Sequence, residues 1–166
     1  PNMLTTNQAS IESGTTGWTQ NIDGTEVDFS SSTGWAALGT HSLHFKATGT
    51  GSSQTASATA AYVDVTPGNY YGVSLKLNYI SSGGTTPALH ISWFDDDGVF
   101  VAISTPLVRP VSTGISTLRL AVQAPERATR AYVVFGHSSA DSNFLQNAQA
   151  VEWYIDDIWF SEPDVL

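Results

Sequence analysis

Between residues 70 and 80 the chain alternates apolar and polar side chains without a break. Tyr71, Val73, Leu75, Leu77 and Tyr79 fall on one side, and Tyr70, Gly72, Ser74, Lys76 and Asn78 on the other. Successive side chains of a strand point to opposite faces, so the pattern reads as a strand with one face in a core. The same period returns at 42–48, where Leu43, Phe45 and Ala47 oppose His44, Lys46 and Thr48. It returns at 88–94, with Leu89, Ile91 and Trp93 opposite His90, Ser92 and Phe94, and at 130–137, with Ala131, Val133 and Phe135 opposite Tyr132 and Val134. Helical periodicity is nearly absent: no window of about 11 residues carries a clean i, i+3, i+4, i+7 apolar stripe.

The rest of the chain supplies shorter runs and the breaks between them. Residues 3–6 read as a short first strand, 8–12 follow it, and a turn through 13–17 ends on Trp18. In 26–30, Val27 and Phe29 share a face. Residues 48–53 form a flexible Gly/Ser loop, and 54–65 a long strand of small residues. That strand ends in Thr66-Pro67-Gly68-Asn69, where proline presets φ and glycine supplies φ > 0. A loop at 81–86 precedes the strand at 88–94. Asp97-Gly98 signals a hairpin turn into 99–104. In 115–123 Ile115 is out of step with Leu118, which implies a bulge. A polar loop at 138–150, with Phe144 exposed in it, leads to a closing strand at 151–162. About ten strands at hairpin spacing predict one all-β domain over 1–166, an antiparallel two-sheet β-sandwich of the jelly-roll type.

Charge narrows the partners. Fifteen Asp and Glu stand against six Lys and Arg, a net charge of −9. Nucleic acid and anionic membrane surfaces call for a cationic face, so neither is expected. No apolar run is long enough for a membrane-spanning helix, and membrane insertion is not expected. There are no cysteines, and only 13% of residues are charged. That composition suits an extracellular or virion domain. The opening on Pro1 fits a segment of a longer protein.

The closing strand, VEWYIDDIWFSE, places Asp156 and Asp157 among aromatic and branched residues. Carboxylates are costly to bury unless something neutralises them. Two readings stand side by side: a calcium ion, which takes six to eight oxygens, or hydrogen bonds from backbone amides with no ion. Asp157, next along the strand, is expected on the opposite face, solvent-facing or capping a loop. Asp95-Asp96-Asp97-Gly98 lacks the terminal glutamate of an EF-hand loop and reads as a polar hairpin tip.

Three segments carry a resemblance. LTTNQASIESGTTGW at 4–18, VTPGNYYGVSLKL at 65–77 and WYIDDIWF at 153–160 are similar, in order and spacing, to the jelly-roll carbohydrate-binding modules that accompany xylanases and cellulases. They are similar too to related domains of phage tail proteins. The resemblance implies one structural calcium ion where the chain ends meet. Glu12 and Asp156 would supply carboxylates, and backbone carbonyls would come from near Ser10, Gly39 and Ser42. Some relatives carry an acidic side chain at about Gly39, which this chain lacks.

Sugar recognition needs aromatic faces for the apolar side of a pyranose, ringed by polar groups for its hydroxyls. Tyr70, Lys76, His90, Phe94 and Tyr132 occupy polar-phase strand positions, with Phe100 nearby, and are the candidate carbohydrate contacts. Trp18 and Trp153 read as core; Trp35 and Trp159 stay open between core and surface. No Gly-x-Ser-x-Gly, no His-Glu-x-x-His and no cysteine nucleophile is present, and His41, His44, His90 and His137 are dispersed. A non-catalytic module that binds a polysaccharide or cell-surface glycan is therefore expected. The alternative is a structural or adhesive virion domain that contacts other domains of a parent protein or a host surface.

Overall fold

The computed structural model describes residues 1–22, 25–48, 56–82, 86–105, 107–137 and 151–163. Eleven strands lie among them: β1 (Trp18–Ile22), β2 (Thr25–Ser32), β3 (Ser42–Thr48), β4 (Ala56–Ala60), β5 (Val63–Asp64), β6 (Tyr70–Ser82), β7 (Ala88–Phe94), β8 (Phe100–Ile103), β9 (Gly114–Gln123), β10 (Arg130–His137) and β11 (Val151–Ser161). One sheet has the order β1-β4-β10-β7-β8, with β5 also paired to β10. The other has the order β2-β3-β11-β6-β9. Every pairing is antiparallel. The chain passes repeatedly from one sheet to the other, as in a jelly roll.

The alternating positions fill the space between the sheets. Trp153 on β11 is stacked by Phe45 at 4.9 Å and met edge-on by Phe135 of the opposite sheet, also at 4.9 Å. Tyr71 stacks on Phe160 at 5.5 Å and leans on Trp93 at 6.3 Å. Each buried ring contributes about 1.5–3 kcal/mol through burial, and well-placed aromatic pairs add about 0.5–1.5 kcal/mol. Trp18 is buried as well, and its indole N–H donates to the Gln8 carbonyl at 3.0 Å.

Five local expectations change. The opening segment holds a one-turn helix, α1 (Thr6–Ser10), in place of strands at 3–6 and 8–12. The Thr5 hydroxyl accepts the Gln8 N–H (3.2 Å) and the Gln8 side chain accepts the Thr5 N–H (2.8 Å), which closes a capping box. Val27 is exposed and does not share the inward face of Phe29, because a register shift between Glu26 and Asp28 turns it outward. The strand expected at 54–65 is broken at Ala61 and Tyr62 into β4 and β5. Strand β9 pairs with β6 in unbroken register from Gln123 to Gly114, with no bulge. Ile115 is out of step because it faces solvent. Strand β6 runs on to Ser82 where a loop was expected at 81.

The turn at 66–69 and the Asp95–Gly98 tip form as expected. Asn69 N–H donates to Thr66 O at 3.2 Å, and Gly68 has φ +81°. Asp95 Oδ1 accepts the amides of Asp97 and Val99, and Arg127 donates to its other oxygen at 2.9 Å. The amide of Val99 leads the causes that hold the Asp95 carboxyl below its ordinary range. The loop at 49–53 and the loop at 138–150 with Phe144 lie outside the described residues. Among the described residues no helix is long and apolar enough to cross a membrane.

Candidate functional site

The outer face of the β1-β4-β10-β7-β8 sheet should be polar by alternation, yet its open end carries a row of rings. Tyr62, between β4 and β5, lies 5.7 Å from Tyr132 of β10. Tyr132 meets Phe94 of β7 at 5.0 Å, and Phe94 meets Phe100 of β8 at 5.6 Å, both in edge-on geometry. The Arg130 guanidinium sits 4.9 Å over the Tyr62 ring. The strands impose this order, since Arg130 pairs with Phe94, Tyr132 with Ser92 and Phe94 with Phe100. The inner members, Phe94 and Tyr132, are half-buried, whereas Tyr62 and Phe100 are 45% and 53% exposed. Edge-on packing fixes the inner rings and leaves aromatic surface toward solvent. Ser92, the register partner of Tyr132, is a polar neighbour.

Three sequence candidates thus come together here: Phe94, Phe100 and Tyr132. His90 belongs to the same face but is 2% exposed, so it is not part of the open surface. Tyr70 and Lys76 stand on β6 in the other sheet and do not join the row. Tyr70 is exposed and lines a separate cleft of about 410 Å³ with Trp93, Ile103, Gln123 and Pro125. Lys76 donates to the Thr117 hydroxyl at 2.9 Å. Tyr62 is the member sequence reasoning misses. Counted on from the buried Ala58 and Ala60, it falls in the inward phase, and only the break at 61–62 turns it out.

Glu12 and Asp156 do meet, through a single loop between β2 and β3. Thr40 and His41 N–H groups donate to Glu12 Oε1, each at 2.9 Å, and the Thr40 hydroxyl donates to Oε2 at 2.8 Å. His41 Nδ1 lies 3.4 Å from Oε2. Asp156 Oδ2 accepts the N–H groups of Ala37 and Leu38 at 2.8 Å, and Oδ1 accepts that of Asp157 at 2.7 Å. Gly39, at φ +72°, lies between the two anchors, and a Cβ there would overlap Glu12 Oε1.

Of the two readings of these carboxylates, the bonds displayed here are those of the amide reading. The loop turns N–H donors toward both carboxylates. Ser10 Oγ donates to Thr6 O at 2.9 Å, and Ser42 Oγ donates to Trp35 O at 2.6 Å. The His41 amide and then the Thr40 hydroxyl hold the Glu12 carboxyl down at about 2. Asp156 is fully buried, and burial pushes its carboxyl up against the pull of the three amides.

No family model and no curated protein matches the chain. Solved structures do resemble it. The enzymatically active domain of tailspike protein 4 from bacteriophage CBA120 superposes with a TM-score of 0.66 at 18% identity, over 97% of this chain and 21% of that one. A family 16 carbohydrate-binding module gives 0.63 at 16% identity, over 97% of this chain and 100% of that one. The CBM22-1 xylan-binding domain from Paenibacillus barcinonensis Xyn10C gives 0.58 at 15% identity, over 95% and 94%. At such identities the likeness establishes the fold: a jelly-roll sandwich of the carbohydrate-binding-module type. The chain spans about a fifth of the tailspike protein's length.

Proposed function

We propose that this domain is a non-catalytic carbohydrate-binding module that takes a polysaccharide or cell-surface glycan along the Tyr62–Tyr132–Phe94–Phe100 row. One observation carries the reading: rings on the consecutive strands β10, β7 and β8, extended by Tyr62 from the break between β4 and β5, stand on a face that alternation reserves for polar side chains. Ring faces match the apolar face of a pyranose, and Arg130 and Ser92 can answer its hydroxyls. The xylan-binding domain among the structural neighbours supports the ligand class. Such a domain works outside the cell or on a virion surface. The loop between β2 and β3 is closed by amides on Glu12 and Asp156, with no need of calcium.

A second reading, a host-surface-reading domain of a virion, has the tailspike neighbour in its favour. It differs in the parent protein and need not differ in the site. Affinity electrophoresis through gels containing plant and bacterial polysaccharides tests both. Retardation by at least one glycan is expected, weakened about tenfold by Tyr132→Ala or Phe94→Ala, the equivalent of ~1.4 kcal/mol. Retardation by none, or variants that bind as the native chain does, would overturn the site.

A further inference from the structure

The outer face of the other sheet carries a groove that the aromatic row does not explain. It measures about 430 Å³ and is lined by Gly72, Ser74, Arg119, Ala121, Trp159 and Ser161. Trp159, Ser74 and Arg119 occupy one register row across β11, β6 and β9. Neighbouring strands lie about 4.8 Å apart, so the backbones bearing the indole and the guanidinium are separated by roughly 10 Å. Ser161, Gly72 and Ala121 form the next row. The floor between the two large side chains is therefore built of small ones. Trp159 is 47% exposed, and its Nε1–H donates to Asp157 Oδ1 at 3.0 Å, which fixes the ring edge.

Charge on this face is sorted. Toward β2, Asp28 and Glu152 are bridged by His44, at 2.5 and 3.2 Å, and Lys46 lies 3.8 Å from Glu152. Toward β9, Lys76 is held by a neutral hydroxyl, and Arg119 pairs with no carboxylate among the described residues. Asp157, the acid beside Trp159, has one oxygen taken by the indole N–H. The chain has only six cations against fifteen acids. An exposed guanidinium without an acid, beside an exposed indole and a small-residue floor, runs against that balance.

We infer that this groove is a second binding site, for an acidic saccharide bearing a uronate. The indole stacks on the apolar face of the sugar ring. The Arg119 fork pairs with its carboxylate in the planar geometry that guanidinium and carboxylate share. Lys76 adds positive charge on the same face. The site lies on the opposite sheet from the aromatic row, so either can fail without the other.

The experiment is a titration followed by NMR at the tryptophan indole N–H signals, with Trp159→Ala assigning the relevant one. The probes are trimers of galacturonate, mannuronate and guluronate, each beside its carboxyl-reduced neutral counterpart. At least one uronate trimer is expected to move the Trp159 signal, with a Kd on the order of 1 mM. Arg119→Ala should weaken it about tenfold, the neutral counterparts should bind much more weakly, and Tyr132→Ala should leave it unchanged. Gly72→Leu supplies a block that does not strain the fold: a Cβ there meets only Leu120 O and Ser161 O, at 3.9 and 4.0 Å. It should abolish the shift in a folded chain. No shift with any uronate trimer, equal shifts with the neutral sugars, or binding that survives Gly72→Leu would overturn the inference.

Discussion

Glu12 and Asp156 hold the same loop, yet their surroundings shift the two carboxyl pKa values in opposite directions. Glu12 is ordinarily a 4.5 carboxyl and is drawn down to about 2 by the amide of His41 and the hydroxyl of Thr40. A carboxyl with a depressed folded pKa stabilises the fold fully above its unfolded value, and the stabilisation is lost as pH falls through the folded one. For Glu12 that window runs from 4.5 down to about 2. Burial raises Asp156 above 3.8, so its contribution is greatest below that value and is lost as pH rises through the folded pKa. Glu12→Gln keeps one acceptor oxygen for the amides and removes the charge. Urea midpoints taken from about pH 6 to about pH 2 should show a variant that starts below the native chain and falls less steeply through the Glu12 window. Parallel curves would mean that the carboxylate does not hold the loop.

At the scale of elements, β11 shows where alternation stops being a guide. Asp157 has φ +48°, and the register with β6 slips between Asp156 and Trp159. The extra residue reverses the phase, which sends Ile158 and Phe160 into the core and Trp159 to the surface. Uninterrupted alternation from Trp153 would bury Asp157 and Trp159 instead. Asp157→Val puts a branched side chain at positive φ and removes the indole's acceptor. It should cost about 1–3 kcal/mol in urea denaturation, while Asp157→Asn, which tolerates that conformation, should stay near the native value. Equal stability of the two would show that the bulge needs no such residue. The sandwich was legible because β3, β6, β7 and β10 keep one phase throughout. Tyr62 and Trp159 were not, because each follows a break that shifts the phase by one. The short helix was signalled by the Thr5–Gln8 capping pair, but one turn is too short for any periodicity to register.

On the scale of the whole molecule, the two ends of the described chain are joined by neutral groups. Asn2 Nδ2 donates to Ile158 O at 2.9 Å, and its Oδ1 accepts the Phe160 N–H at 3.0 Å. Met3 N–H donates to Phe160 O at 2.7 Å, and Ser31 Oγ to Ile11 O at 2.5 Å. With Glu12 and Asp156 each answered by amides, we infer that these bonds close the sandwich edge. A chelator should therefore leave the thermal midpoint within about 1 °C of its value in excess calcium. The contrast with a metal-closed edge is large enough to measure. An ion present at 100 times its Kd adds about 2.7 kcal/mol of stability. At about 2–4 °C per kcal/mol for a chain of this size, that is a midpoint difference of roughly 5–10 °C. A shift of that size, reversed by restoring calcium, would mean that the ion displaces the Thr40 and His41 donors and that carboxylate–amide bonds do not close the edge. Glu12→Gln separates the cases further: it should abolish a calcium-dependent shift, and should lower both midpoints equally where amides alone do the holding.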